Sequence, residues 1–126
     1  MPKFVVYSKN APEPIGPYSQ AIQAGNILFV SGQIAIQRTT GKIITTTVEE
    51  ETNQVMENLG AVLKAAGMNF SNVVKTSIFL KDMNNFPLVN DIYGRFFTQD
   101  PPARETVEVA RLPKDVNVEI SCIAVK

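Results

Sequence analysis

Hydrophobic positions along the chain change period several times, and each change marks an element. A β-prone run from Phe4 to Tyr7 gives way to Asn10-Ala-Pro-Glu-Pro-Ile-Gly-Pro17, a segment too rich in Pro and Gly to be regular and read as an ordered surface loop. Tyr18 to Ala24 and Ile27 to Gly32 read as two strands joined by the Gly25-Asn26 turn. Thr39-Thr40-Gly41-Lys42 is a second turn, with Ile43 and Ile44 as a strand stub. Val48, Thr52, Val55, Met56, Leu59, Val62, Leu63 and Ala66 then recur at three- and four-residue steps, the single apolar stripe of a helix that must lie on a sheet. Thr47 and Glu50 have capping-box spacing at its start, and Gly67 falls where a left-handed C-terminal residue belongs. Val73 to Lys81 reads as a strand. A second helix runs from Asn84 or Asn85 to about Phe97, with Phe86, Val89, Tyr93, Phe96 and Phe97 as its stripe and Pro87 tolerated in its first turn. Asp100-Pro101-Pro102 ends that unit, and Arg104 to Ala110 and Val116 to Val125 form the last two strands.

This order of elements fits an α+β domain with two helices on one face of a mixed β-sheet. With 126 residues and no repeat or linker, the chain is read as one domain over 1–126. Two helices cover one face only. The final strand carries Val118, Ile120, Cys122 and Ala124 on one side and Ile123 and Val125 on the other, so both of its faces call for burial. The second face of the sheet is therefore expected to pack on another subunit, giving a homo-oligomer with sites in the clefts between subunits.

Composition narrows the chemistry. The sequence has no His, which excludes the Ser-His-Asp triad, the Cys-His dyad, His-containing zinc sites and the two-histidine ribonuclease arrangement. A single Cys allows neither an intrachain disulfide nor a cysteine-clustered metal site, and Cys122 itself is read as a small inert hydrophobe. Apolar runs are strand-sized, with none near the length of a membrane span, and Met1 to Tyr7 lacks the apolar centre of a signal peptide. A cytoplasmic location is the expectation. Twelve Lys+Arg balance 12 Asp+Glu, so no broad positive field recruits nucleic acid.

Parity within the last strands sorts the remaining candidates. Arg104, Thr106 and Glu108 share one face of a strand, and Glu105, Val107 and Val109 the other. Turning Val107 and Val109 toward the helices puts Arg104 and Thr106 on the subunit-facing side, where Glu119 and Ser121 also project. Residue types alone leave two readings of Arg104 and Glu119 open: a cross-strand ion pair near a wet sheet edge, or an anion-binding arginine beside a carboxylate able to relay a proton. Tyr18 is either an aromatic packed on the Pro-rich loop or part of a site. Ser31-Gly32 offers a hydroxyl and bare backbone at a strand end, the mark of a bulge or of a close ligand approach.

Several segments carry a resemblance. Pro102-Ala103-Arg104, Val107, Glu108-Val109-Ala110-Arg111-Leu112-Pro113-Lys114-Asp115 and Val118-Glu119-Ile120 resemble the C-terminal signature of the RidA/YjgF family of reactive-intermediate imine deaminases. Ile15-Gly16-Pro17-Tyr18-Ser19-Gln20, Ser31-Gly32-Gln33-Ile34, Ala65-Ala66-Gly67, Val74-Lys75-Thr76 and Phe79-Leu80-Lys81-Asp82 extend the likeness, as do the Val89-Asn90 and Phe96-Phe97 pairs. The resemblance implies a chorismate-mutase-like subunit, a homotrimer with three intersubunit clefts, and a cofactor-free, metal-free enzyme. Its substrates would be small 2-imino acids or enamines such as 2-iminopropanoate and 2-iminobutanoate, hydrolysed to 2-oxo acids and ammonia.

Position by position, the resemblance makes Arg104 the holder of the substrate carboxylate, Glu119 the group that positions or activates water, and Tyr18 a wall of the cleft. Ser31 and Gly32 match a segment approaching the ligand, Asn90 a helix asparagine near the site, and Thr106 a position where many relatives carry Cys. Residue 105 is small in most relatives and is Glu105 here, with its side chain expected to point away from the cleft. Two other functions stay open beside this one: an endoribonuclease or translation inhibitor, as attributed to some relatives, and a non-enzymatic small-metabolite-binding protein. Neutral charge and the missing histidine weigh against the first.

Overall fold

The computed structural model describes residues 2–126. Six strands, β1 (Lys3–Val6), β2 (Ala21–Ala24), β3 (Ile27–Gln33), β4 (Val73–Leu80), β5 (Ala103–Glu108) and β6 (Val118–Val125), form one sheet with two helices, α1 (Val48–Ala65) and α2 (Phe86–Gly94). The strand order is β1-β2-β3-β6-β4-β5. Only β4 and β5 run parallel, joined across α2, so the sheet is mixed as expected. The expected strand from Tyr18 begins only at Ala21, and the Ile43–Ile44 stub is reduced to a single bridge between Ile36 and Ile43.

Local chemistry sets the helix boundaries. Thr47 Oγ1 accepts the Glu50 amide at 3.1 Å, and Glu49, Glu50 and Glu51 place negative charge in the first turn of α1, where the helix dipole favours it. At the other end Gly67, at φ +72°, lets Met68 N–H reach Leu63 O and Gly67 N–H reach Lys64 O, a Schellman closure that a β-carbon would strain. The second helix departs from expectation. Asn85 makes no side-chain cap; Asp82 instead accepts the Asn84 amide, a 3-10 turn at Met83–Asn85 follows, and α2 ends at Gly94, three residues short of Phe97. Phe97 is still buried, stacked against Tyr93 at 4.8 Å between ring centres.

Alternation in β6 appears as expected. Val118, Ile120, Cys122 and Ala124 are buried with Val55, Met56, Leu59, Val62 and Leu63 of α1. Burial pushes the Cys122 thiol up to about 12, which removes its thiolate at neutral pH. The opposite face carries a row running across five strands, Val5, Ile22, Phe29, Ile123 and Lys75, with Val5 65% and Phe29 47% exposed. No helix of the described residues is long and apolar enough to cross a membrane.

Two buried polar residues of α1 lay outside the apolar stripe. Glu51, fully buried, accepts the Asn117 amide at 2.8 Å, the Val118 amide at 3.2 Å and Asn117 Nδ2 at 2.8 Å, which fixes the start of β6. Asn58 donates to the carbonyls of Ile34 and Ile36 and so pins the segment that leaves β3. Glu51→Gln keeps one acceptor but turns an amide donor toward other donors, and is expected to lower stability by about 1–3 kcal/mol in urea unfolding with an unchanged m-value.

Candidate functional site

Glu119 lies on the open face of the sheet opposite Phe79, at the point where β3 loses register with β6. Val30 pairs with Cys122 but Gln33 with Ile120, so three steps on β3 match two on β6 and Ser31-Gly32 forms a bulge. The bulge presses Gly32 onto the carboxylate. A β-carbon at position 32 would stand 2.8 Å from both Glu119 Cδ and Oε2, so any side chain there would displace the Glu119 carboxylate from its present place. Ser31 does not present a free hydroxyl: its Oγ donates to Ser19 O at 2.6 Å and its amide to Gln20 O at 2.9 Å, tying β3 to the residues before β2. That irregular pairing is why β2 starts late.

Those residues carry the next wall. Gln20, 2% exposed, accepts the Ser8 amide through Oε1 and donates through Nε2 to the carbonyls of Ser8, Ala11 and Pro12, holding the Pro-rich loop down. Tyr18 rises at its end, 48% exposed, its hydroxyl accepting the Ile15 amide at 3.4 Å. Together Ile15, Tyr18, Ser31, Gly32, Ile36 and Glu119 line a cleft of about 350 Å³. Glu119 is half-buried in it, and desolvation raises its carboxyl above the usual 4.5 with no compensating cation among the described residues.

Arg104 belongs to a different cleft. The parallel register pairs it with Thr76, which is buried under the helices, so Arg104 and Thr106 face α2. Arg104 Nη1 donates to Asn90 Oδ1 at 2.8 Å, and its guanidinium lies 5.1 Å from the Tyr93 ring centre and 5.4 Å from that of Phe86. Tyr93 is itself fixed by a 2.8 Å hydrogen bond between its hydroxyl and Thr76 Oγ1; burial raises its phenol despite the opposing pull of that bond and of Arg104. Asn90, Tyr93, Phe97, Pro102 and Arg104 line a cavity of about 440 Å³. No carboxylate of the described residues pairs with Arg104. Thr106 Oγ1 is buried without a hydrogen-bond partner.

The structure thus corrects the expectation that Arg104 and Glu119 meet on one face of the chain. Val107 and Val109 do not face the helices. Val107 stands beside Phe79 in the row that also holds Glu119, and Val109 packs with Phe79 against the small cluster of Ile34, Leu112 and Val116. That aliphatic cover for Phe79, together with two ring faces and an amide oxygen on α2 for the guanidinium, sets the parity of β5. Glu105 lies on the other face of β5 from Arg104, but that is the open face of the sheet it shares with Ser77 and Lys75, not the helix side to which the parity reading assigns it. It bonds the Ser77 hydroxyl and lies 3.0 Å from Lys75 Nζ, and these two contacts hold its carboxyl below the usual range.

The elements therefore gather Tyr18, Ser31, Gly32 and Glu119 around one cleft and Asn90 and Arg104 around another, with Thr106 on the same face of β5 as Arg104 but outside that cavity's lining. The sequence reading missed Gln20 as the fastening of the loop, and took Phe86 and Tyr93 only as core stripe. The signal for Gln20 was a lone amide in an otherwise β-prone run; for the two aromatics it was their spacing around Asn90 on one helix face.

Residues 8–126 match the family profile described as Endoribonuclease L-PSP. The chain is 52% identical over 124 residues to a RutC family protein of Pyrococcus horikoshii, covering 98% of each chain. It is 45% identical over 124 residues to a 2-iminobutanoate/2-iminopropanoate deaminase of Dermatophagoides farinae, covering 98% of this chain and 97% of the other. The solved structure of the YjgF gene product of E. coli superposes with a TM-score of 0.94 at 44% identity, covering 98% of both chains.

Proposed function

Because the chain belongs to the Endoribonuclease L-PSP family, which holds RutC, YjgF and imine deaminase proteins, we propose that it hydrolyses small 2-imino acids to 2-oxo acids and ammonia. The substrates are 2-iminopropanoate and 2-iminobutanoate or their enamine tautomers, released by pyridoxal-phosphate enzymes such as threonine dehydratase. The observation that carries this reading is the complementarity of the two half-sites. One presents a prealigned guanidinium with no acid beside it, the other a desolvated carboxylate with no cation beside it. An iminium carboxylate supplies what each lacks.

The chemistry asks little of the protein, since a free imine already hydrolyses in water. Arg104, kept in place by Asn90 and the ring faces, binds the substrate carboxylate through its remaining donors. Glu119 takes a proton from a water whose oxygen bonds to C2, while the C=N π electrons move to nitrogen and give a carbinolamine. The proton on Glu119 then passes to that nitrogen. As the hydroxyl oxygen re-forms C=O, the C–N bond breaks, and ammonia leaves with the hydroxyl proton. Positioning and this proton relay need no cofactor.

Arg104 and Glu119 project from opposite sides of the sheet, so the site is completed by a second copy, the open face of one subunit meeting the edge of the next. The apolar row through Phe29 and Ile123 suits that role, and a homotrimer gives three such clefts. RNA cleavage, named in the family description, finds less support: the chain has equal numbers of cations and anions and no histidine. Generating 2-iminobutanoate in situ with threonine dehydratase and following its decay tests the assignment. Catalytic amounts of the protein are expected to speed decay well above the spontaneous rate; equal rates with and without protein would refute it.

A further inference from the structure

We propose that Arg38 is a positioning residue that fastens the exposed part of the Pro-rich loop and so sets the wall facing Glu119. The loop has little means of holding itself. Pro12, Pro14 and Pro17 lack amide donors, and the loop's own bonds are short-range ones, such as Tyr18 N–H to Gly16 O at 2.9 Å, so side chains elsewhere tie it to the rest of the fold. Gln20 does this from beneath, at Ser8, Ala11 and Pro12. Arg38, 27 residues away in sequence from Ala11, holds the loop from the other side: its Nη1 donates at 2.6 Å to the carbonyl of buried Ala11, which Gln20 also reaches, and from there the guanidinium extends to exposed Glu13. Its Nη2 donates to the Tyr7 hydroxyl at 3.0 Å and to Glu13 Oε1 at 2.9 Å, and the Tyr7 hydroxyl bonds the same Glu13 oxygen.

The base from which Arg38 reaches is itself stiff. Gln37 N–H donates to Lys42 O at 2.8 Å, Gly41 N–H to Gln37 O at 2.7 Å, and Ile36 is pinned to α1 through Asn58. Pro12, Glu13, Ile15 and Ile36 border both the Glu119 cleft and an adjoining cavity of about 330 Å³ that Arg38 bounds, so a shift of the loop changes the shape of both. The three acceptors are shared between two nitrogens of the planar fork, Nη1 for Ala11 and Nη2 for Tyr7 and Glu13, a spread that the single ammonium nitrogen of lysine does not span. The pair with Glu13 is solvent-exposed and contributes little to global stability, so the consequence of losing it is local.

The kinetic consequence rests on the deaminase reading, whereas loop placement does not, and the test separates them. In full-length Arg38→Ala, amide hydrogen exchange is expected to speed up across residues 10–18 while α1 and β6 are unchanged. The KM for 2-iminobutanoate is expected to rise about 3–10-fold with kcat within about twofold, the pattern of lost ground-state fit. Arg38→Lys, which can still pair with Glu13, falls between. Unchanged exchange in residues 10–18, or exchange raised equally in α1 and β6, overturns the proposal, as does faster loop exchange with an unaltered KM. If the wild-type protein leaves imine decay unchanged, the deaminase reading fails and the exchange result alone decides the role of Arg38.

Discussion

Arg104→Ala is expected to lower kcat/KM for 2-iminobutanoate by about 10²–10³-fold, the usual cost of truncating one partner of a charged hydrogen-bonded pair. The guanidinium bonds Asn90 and rests on Phe86 and Tyr93, so its removal also leaves those groups without their partner, but on an exposed edge where the fold tolerates it. Arg104→Lys keeps the charge and loses the planar fork, and an intermediate rate is expected. A sharper experiment mixes subunits. In a ring of identical subunits where Arg104 of one copy works with Glu119 of the next, equal amounts of Arg104→Ala and Glu119→Gln chains, assembled together, restore about one quarter of the clefts. Each variant alone is nearly inactive, so recovered turnover in tagged mixed oligomers reads the composite site directly. Mixed oligomers verified by mass spectrometry that stay inactive would remove the intersubunit cleft from the mechanism.

That experiment matters because the sequence was legible up to the point where this question begins. The alternation in β6 placed Val118, Ile120, Cys122 and Ala124 against the helices because one of its faces is apolar throughout. The stripe of α1 was equally plain. β5 was different: Arg104, Thr106 and Glu108 on one side and Glu105, Val107 and Val109 on the other give an edge strand two faces of mixed polarity, so alternation fixes neither. Its parity came from partners far away in sequence, Phe79 for the valines and the rings of α2 for the arginine. Glu51 and Gln20 were hidden for a related reason. Each is a polar residue made burial-compatible by several specific hydrogen bonds, and those bonds exist only once the chain has closed on itself. The Ser31-Gly32 bulge was readable as one of two possibilities, and the structure adds what the glycine makes room for, the Glu119 carboxylate.

Glu119→Gln is expected to lower kcat by about 10²–10⁴-fold, the range for loss of a general base, while preserving shape at Gly32, since the amide is isosteric with the carboxylate. The pH profile separates this from mere damage. Desolvation raises the Glu119 carboxyl above 4.5, and the base must be ionised, so wild-type kcat/KM is expected to fall as pH drops through that raised value. In the Gln variant this acid limb disappears, whereas any limb belonging to the substrate imine persists in both proteins. Stability gives an independent reading of opposite sign. A carboxyl whose folded-state value is raised contributes stability that is complete below its unfolded value and is lost as pH rises through the folded one. At pH 7 the ionised Glu119 therefore weighs against the fold, and the uncharged Gln variant is expected to melt at a higher temperature, the difference shrinking as pH is lowered below 4.5. A variant that is less active and more stable at neutral pH, with both effects fading toward acid, is what a carboxylate desolvated for catalysis predicts. A variant that loses activity and melting temperature together at every pH would instead make Glu119 a structural group, and the water-activating role assigned to it would fall.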